Sequence, residues 1–199
     1  MPEPLETETL ETESRRTPLP RPGRGAMRTR MAEILRVDHA GEFAAVKIYE
    51  AQARVFEGVR GKQAIAADMV EMQAGEQVHK ARFDALLTEH GVRPTAMLPL
   101  WSLAATGLGA ATALMGEKAA HACTEAVESV IEEHYADQVA ELADREPELA
   151  AELEKFRQEE LEHHDHAIAN GSREAPAYRL LSSVIKAGCR VAIKVSERM

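Results

Sequence analysis

Two short motifs in this sequence pair a carboxylate with an imidazole three residues later, Glu76-Gln-Val-His79 and Glu160-Leu-Glu-His163. Side chains three apart on an α-helix share a face, so each motif presents both groups together. Glu42 precedes the first motif and Glu128 the second. The spacing repeats: Glu42 to Glu128 is 86 residues and Glu76 to Glu160 is 84, which suggests an internal duplication around a two-fold-related centre. Two Glu-x-x-His helices, with one Glu from each of two more, form the donor set of di-iron and di-manganese helical bundles. Four carboxylates offset most of the charge of two divalent ions. Oxygen and imidazole ligands suit iron or manganese and leave positions open for O₂. In this reading the lone Glu42 and Glu128 bridge the two metals.

A single Glu-x-x-His is equally well explained as a solvated surface pair. The ordered set of six points to a metal centre, because carboxylates and imidazoles facing a core are costly to bury without a partner. Neighbours compete for the roles. Glu125 and Glu132 fall near the face of Glu128, Glu159 and Glu162 flank Glu160, and His164 and His166 follow His163. The repeated offset favours Glu160 and His163, leaving the others facing solvent or supporting the ligands. Asp38, one turn before Glu42, is a candidate acceptor for the outer N–H of a ligand histidine. His134 and Tyr135, about two turns beyond Glu128, could relay protons or electrons, or simply pack there.

Helices must position these groups. A proline-free helical pattern runs from Met27 to Phe56, and Gly58 and Gly61 end it. A second helix is expected from about Lys62 to His90, stopped by Gly91 and Pro94. An Ala-rich segment from Leu100 to about Ala143 is divisible at Gly107, Gly109 or Gly116. Pro147 suits the first turn of the next helix, which runs to Asn170-Gly171. Ala175-Pro176 is expected to open a last helix. The Gly107-Leu-Gly segment lacks a preceding strand, so it reads as helix packing rather than a nucleotide loop. No Ser/His/Asp nucleophile arrangement stands out.

The chain has 199 residues, 45% hydrophobic and 4% aromatic, which fits one all-α domain. Residues 1–26 hold five of the nine prolines and an acidic stretch and read as a disordered tail, leaving 27–199 as the domain. The net charge of −9 argues against nucleic-acid binding. Cys123 and Cys189 form no CxxC pair and read as reduced core thiols. No apolar run is long and charge-free enough to span a membrane, and no secretory signal is visible. Leu98 to Met115 is nonetheless strongly apolar. The last helix carries Lys186, Arg190, Lys194 and Arg198 at steps of four beside an apolar face, a pattern suited to a membrane interface or a partner.

The sequence resembles the demethoxyubiquinone hydroxylases of ubiquinone biosynthesis from Leu35 to the C-terminus. The likeness is densest in Arg36-Val-Asp-His-Ala-Gly-Glu42, Ala122-Cys-Thr-Glu-Ala-Val-Glu128, Phe156-Arg-Gln-Glu-Glu-Leu-Glu-His-His-Asp165, Ala175-Pro-Ala-Tyr178 and Ala187-Gly-Cys-Arg-Val-Ala-Ile193. It departs from the family after the first Glu, where Ala44-Ala-Val-Lys-Ile-Tyr49 stands, and at Glu128-Ser129, where the family doubles the Glu. The resemblance implies a ferritin-like four-helix bundle with additional apolar and amphipathic helices. It implies two iron ions on Glu42, Glu76, His79, Glu128, Glu160 and His163, with His134 and Tyr135 in electron transfer and substrate contact. The implied reaction hydroxylates the ring of a polyprenyl demethoxyquinone, with O₂ as oxidant and NADH as reductant. The implied setting is the cytoplasmic side of the inner membrane, peripheral, with other ubiquinone-biosynthesis proteins as possible partners. The rival reading of the same ligands is a ferritin- or rubrerythrin-like ferroxidase handling iron.

Overall fold

The computed structural model describes residues 24–199. Six α-helices account for most of them: α1 Arg24–Glu57, α2 Gln63–His90, α3 Leu98–Leu114, α4 Glu117–Leu142, α5 Pro147–Ala169 and α6 Tyr178–Ser196, with a 3₁₀ turn at Ser172–Glu174. The first helix starts three residues before the expected Met27. The rest of the expected tail, residues 1–23, lies outside the described residues.

Local chemistry sets the boundaries. Gly91 takes a left-handed φ of 64° at the end of α2. Its N–H donates to the Thr88 carbonyl and that of Val92 to Leu87, closing the helix end. Gly116, at φ 112°, divides the Ala-rich segment into α3 and α4. Pro147 occupies the first turn of α5, where its missing N–H costs nothing. The last helix begins at Tyr178 rather than at Ala175-Pro176, because the left-handed Ala177, φ 53°, interrupts the path between them. Gly109 is needed for packing: a Cβ there would lie 2.4 Å from the Ile48 carbonyl oxygen, so α3 approaches the α1 backbone only with glycine.

Two helical hairpins, α1/α2 and α4/α5, pack into a four-helix core of the ferritin-like type, with α3 and α6 outside it. Apolar layers close both ends. At one end Ile34, Leu35, Phe83, Leu142, Leu153 and Phe156 pack together. At the other end Tyr49, Phe56, Ile65, Met69 and Met72 do so. Each such side chain contributes about 1.5–3 kcal/mol by leaving water. Between the layers the core turns polar. Among the described residues no helix is long and apolar enough to cross a membrane.

Candidate metal centre

Glu42, Glu76, Glu128 and Glu160 are at most 1% exposed, and His79 is 3% exposed. They meet at the middle of the bundle, one residue or motif from each core helix. Two overlapping groups result. Glu42, Glu76, His79 and Glu160 bring ligand atoms within 4.8 Å of one another, and so do Glu76, Glu128, Glu160 and His163. The structure thus brings all six sequence-derived candidates together. It corrects their division of labour: Glu76 and Glu160 belong to both groups, so the motif carboxylates lie between the two positions while Glu42 and Glu128 are terminal. A helix axis explains this. The Glu of each Glu-x-x-His sits three residues from its own histidine and also faces the histidine of the other motif across the core.

Both histidines turn Nδ1 inward. His79 Nδ1 is 3.1 Å from Glu160 and 3.4 Å from Glu42, and His163 Nδ1 is 3.0 Å from Glu76. None of these contacts has hydrogen-bond geometry. Glu42 Oε2, Glu128 Oε2, both oxygens of Glu76 and Glu160, and both Nδ1 atoms are buried with no hydrogen-bond partner. Eight lone-pair atoms without a donor, drawn from all six candidates and converging on two adjoining positions, fit two metal ions. The electrostatics agree. Burial pushes the Glu42 and Glu128 carboxyls well above their usual range. Burial acts the same way on Glu76, but the two imidazoles outweigh it and hold that carboxyl at about 2. Burial would lower His163, yet Glu160 and Glu76 push it up to about 11. The site therefore holds protons that cations would displace.

Supporting contacts repeat the duplication. Tyr135 on α4 donates to Glu42 Oε1 on α1, and Tyr49 on α1 donates to Glu128 Oε1 on α4. Each tyrosine follows its own helix's glutamate by seven residues and reaches the opposite one. Tyr49 was absent from the sequence-derived candidates, although the 86-residue offset from Tyr135 marks it. Gln52 and Gln138 repeat at the same offset. The Gln138 amide donates to Asp38 and lies 2.9 Å from His134 Nε2. His134 joins neither ligand group; its ring sits 3.6 Å from Asp38. Burial raises Asp38 to about 8, against the Gln138 hydrogen bond, so Asp38 is largely protonated at neutral pH.

One supporting role changes hands, and the competing neighbours stay out of both ligand groups, as the repeated offset implied. Asp38 is not an acceptor for a ligand histidine; Glu159 takes that position, 2.6 Å from the outer Nε2 of His79. Glu125 is buried but turns away to Ser172, Tyr178 and Arg173. Glu132 pairs with Arg157 at 2.5 Å, and His166 pairs with Asp68 at 2.8 Å.

An apolar cavity of about 610 Å³ lies beside this centre, between α1, α4 and the outer helices α3 and α6. Its walls include Ala44, Ile48, Trp101, Leu108, Val127 and Ile185. It shares Val37, Gly41, Ile131 and Ile193 with a small recess that reaches Glu42, Asp38, His134 and Tyr135. Trp101 Nε1 donates to Ser196 Oγ, tying α3 to α6 across one end.

Residues 29–196 match the family described as ubiquinone biosynthesis protein COQ7. The chain is 50% identical over 166 residues to a 3-demethoxyubiquinol 3-hydroxylase of Rhodospirillum rubrum, covering 83% of this chain and 77% of that one. It is 44% identical over 176 residues to the mitochondrial NADPH-dependent 3-demethoxyubiquinone 3-hydroxylase of Homo sapiens, covering 86% and 79%. A mitochondrial 5-demethoxyubiquinone hydroxylase of Saccharomyces cerevisiae is 36% identical over 181 residues, covering 83% and 77%.

Proposed function

Because the chain belongs to the COQ7 family of ubiquinone biosynthesis, we propose that it hydroxylates the ring of a polyprenyl demethoxyquinone or its quinol, using O₂ and a di-iron centre. The observation that carries the reading is the apolar cavity whose recess reaches Glu42 and Tyr135. A quinone ring in the cavity against Val37, Gly41 and Ile131 would face the recess and, through it, the Glu42 side of the ligand cluster, with its isoprenoid tail among the walls of α3 and α6. An iron-storing protein has no use for such a groove, so the ferroxidase reading is the less favoured one.

Glu42, Glu76, His79, Glu128, Glu160 and His163 would hold the two irons, which supply O₂-activating redox chemistry when bound. Around them the chain's own residues orient and protect. Tyr135 and Tyr49 hold one oxygen each of Glu42 and Glu128, leaving the other oxygen free to face inward. The apolar layers at both ends keep bulk water from the buried carboxylates. Protonated Asp38 and His134, bridged by the Gln138 amide at the recess, can pass a proton to or from a ring oxygen.

Two electrons per turnover must come from outside the centre. A nicotinamide donor fits the relatives: NADH is the reductant expected from the resemblance, and the human relative's name specifies NADPH. The substrate's tail favours a peripheral position on the cytoplasmic side of the inner membrane, near other ubiquinone-biosynthesis proteins. Exposed Leu103, Leu114, Leu180, Val184 and Val191 on α3 and α6 support a membrane-facing side.

The test is iron-loaded protein, reduced anaerobically and exposed to ¹⁸O₂ with a short-tailed demethoxyquinone. One labelled oxygen in the hydroxylated ring is expected, with NADH and NADPH compared as donors. Iron oxidation without any ring product would support the ferroxidase reading instead.

A further inference from the structure

The duplication that builds the centre is broken directly before the two motif carboxylates. Glu159 and Gly75 occupy equivalent positions, 84 residues apart, each directly before the motif carboxylate. Glu159 sits 2.6 Å from His79 Nε2. At the other half Gly75 faces His163, but with no side chain to offer. A Cβ at Gly75 would lie 3.6 Å from His163 Nε2 and Cε1, an ordinary contact, and its backbone is not left-handed. Neither crowding nor backbone conformation therefore requires glycine there. Exposure follows the same division: His79 is 3% exposed and His163 20%. No hydrogen-bond acceptor for His163 Nε2 is present among the described residues.

A carboxylate on the outer nitrogen of a metal-bound imidazole fixes its tautomer and ring orientation and raises its basicity. Losing such a partner typically costs about 10- to 100-fold in metal affinity. Glu159 is well placed for this role, with its other oxygen 3.6 Å from Lys155 at the protein surface. We propose that Glu159 is a positioning residue for His79 and that the two half-sites are unequal in consequence: the His79 half binds metal tightly, and the His163 half, open beside Gly75, binds it more weakly and exchanges with solvent. The inference rests on the di-iron reading and adds an order of filling and release to it.

The experiment titrates the full chain anaerobically with ⁵⁷Fe(II). Bound iron is counted by equilibrium dialysis and distinguished by Mössbauer spectroscopy, with His79→Ala and His163→Ala assigning the two steps. Wild type should fill in two steps of unequal affinity, the tighter at His79. In Glu159→Ala the tight step should weaken about 10- to 100-fold and its doublet shift, while the weak step stays put. Glu159→Gln keeps an acceptor oxygen and should recover part of the loss. Gly75→Glu, which supplies the missing carboxylate, should tighten the weak step. Circular dichroism of each metal-free variant checks that the helices persist. Wild type that binds no iron would sink the di-iron reading and this inference with it. Two irons of equal affinity, or a Glu159→Ala variant in which both steps weaken alike or neither moves, would overturn the inference and leave the di-iron reading standing.

Discussion

The ligand cluster and the apolar cavity share helices α1 and α4 yet follow opposite rules. On α1, Glu42 and Tyr49 face the bundle axis, while Val37, Ala44 and Ile48 face the cavity. The cluster buries charge at high cost and leaves eight polar atoms unpartnered, a state that ligands must resolve. The cavity is lined almost wholly by aliphatic and aromatic carbon and by small residues, so it costs little and demands little. One region is specified atom by atom and the other mainly by volume. The cluster should therefore fail abruptly under single substitutions, and the cavity gradually.

The largest expected effect is at the shared carboxylates. Glu76→Ala or Glu160→Ala should remove both irons and all hydroxylation, because each residue belongs to both ligand groups. Glu42→Ala or Glu128→Ala should lose mainly one iron per chain and still abolish turnover. Iron per chain, read by atomic absorption on the purified variants, separates the patterns. Loss of both irons in the Glu42 and Glu128 variants, with one retained in the Glu76 and Glu160 variants, would return the bridging role to Glu42 and Glu128.

That correction shows where the sequence stops being legible. The six candidate ligands could be read because spacing along one helix is periodic, and the 86- and 84-residue offsets paired them. Which carboxylate lies between the metals depends on the rotation and height of α2 and α5 relative to each other, which no local pattern encodes. The same holds for Glu159, adjacent in sequence to Glu160 but in contact with His79 on α2. Tyr49 was legible in principle, since the offset that relates Glu42 to Glu128 also relates it to Tyr135. The cavity was visible only as two apolar segments, because its shape arises from how α3 and α6 lie over α1 and α4.

Asp38 sits at the seam between the two regions and should respond to pH. Burial raises its folded pKa to about 8, well above the usual carboxylate range and against the Gln138 hydrogen bond. Its contribution is therefore full below the unfolded pKa and is lost as pH rises through 8. Each unit is worth about 1.4 kcal/mol, so wild type should lose roughly 4 kcal/mol between pH 4 and 7 from this group. Asp38→Asn keeps the acceptor for Gln138 and removes the titration. Urea unfolding at matched metal load should show the variant more stable at pH 7 and equal to wild type at pH 4. A constant difference across that range would assign the effect to packing.

On the outer side of the cavity, Lys186, Arg190 and Lys194 on α6, with Arg198 just past its end, lie beside its exposed apolar residues. Each basic residue near an anionic surface contributes about 1 kcal/mol. Arg190 is paired with Glu133 at 3.1 Å, which reduces its share. Changing all four to Gln should weaken binding to anionic vesicles by roughly 3 kcal/mol at low salt, with iron content and turnover of a short-tailed quinone retained. Unchanged vesicle flotation would show that the stripe faces solvent or a protein.

The smallest effect, and the sharpest test of the contrast, belongs to Gly188. It lines the cavity from α6, and a Cβ there meets nothing within 4 Å. Gly188→Leu therefore adds an apolar side chain to a region already apolar, with room to receive it and no polar partner to lose. The four Leu carbons occupy space that the substrate's ring or first isoprene unit would take. Displacing a reactant by about 1 Å is enough to cost up to 100-fold, but a wall that yields by rotamer change should cost less, about tenfold. The loss should fall on KM for long-tailed quinone more than on kcat. Bound iron should be unchanged, because none of the six ligands or their supporting tyrosines lies on α6. Steady-state kinetics with short- and long-tailed demethoxyquinones, alongside iron analysis, measures both sides at once. A variant that loses iron would show the cluster and the cavity to be one cooperative unit. A variant with unaltered kinetics would show that the tail takes another route.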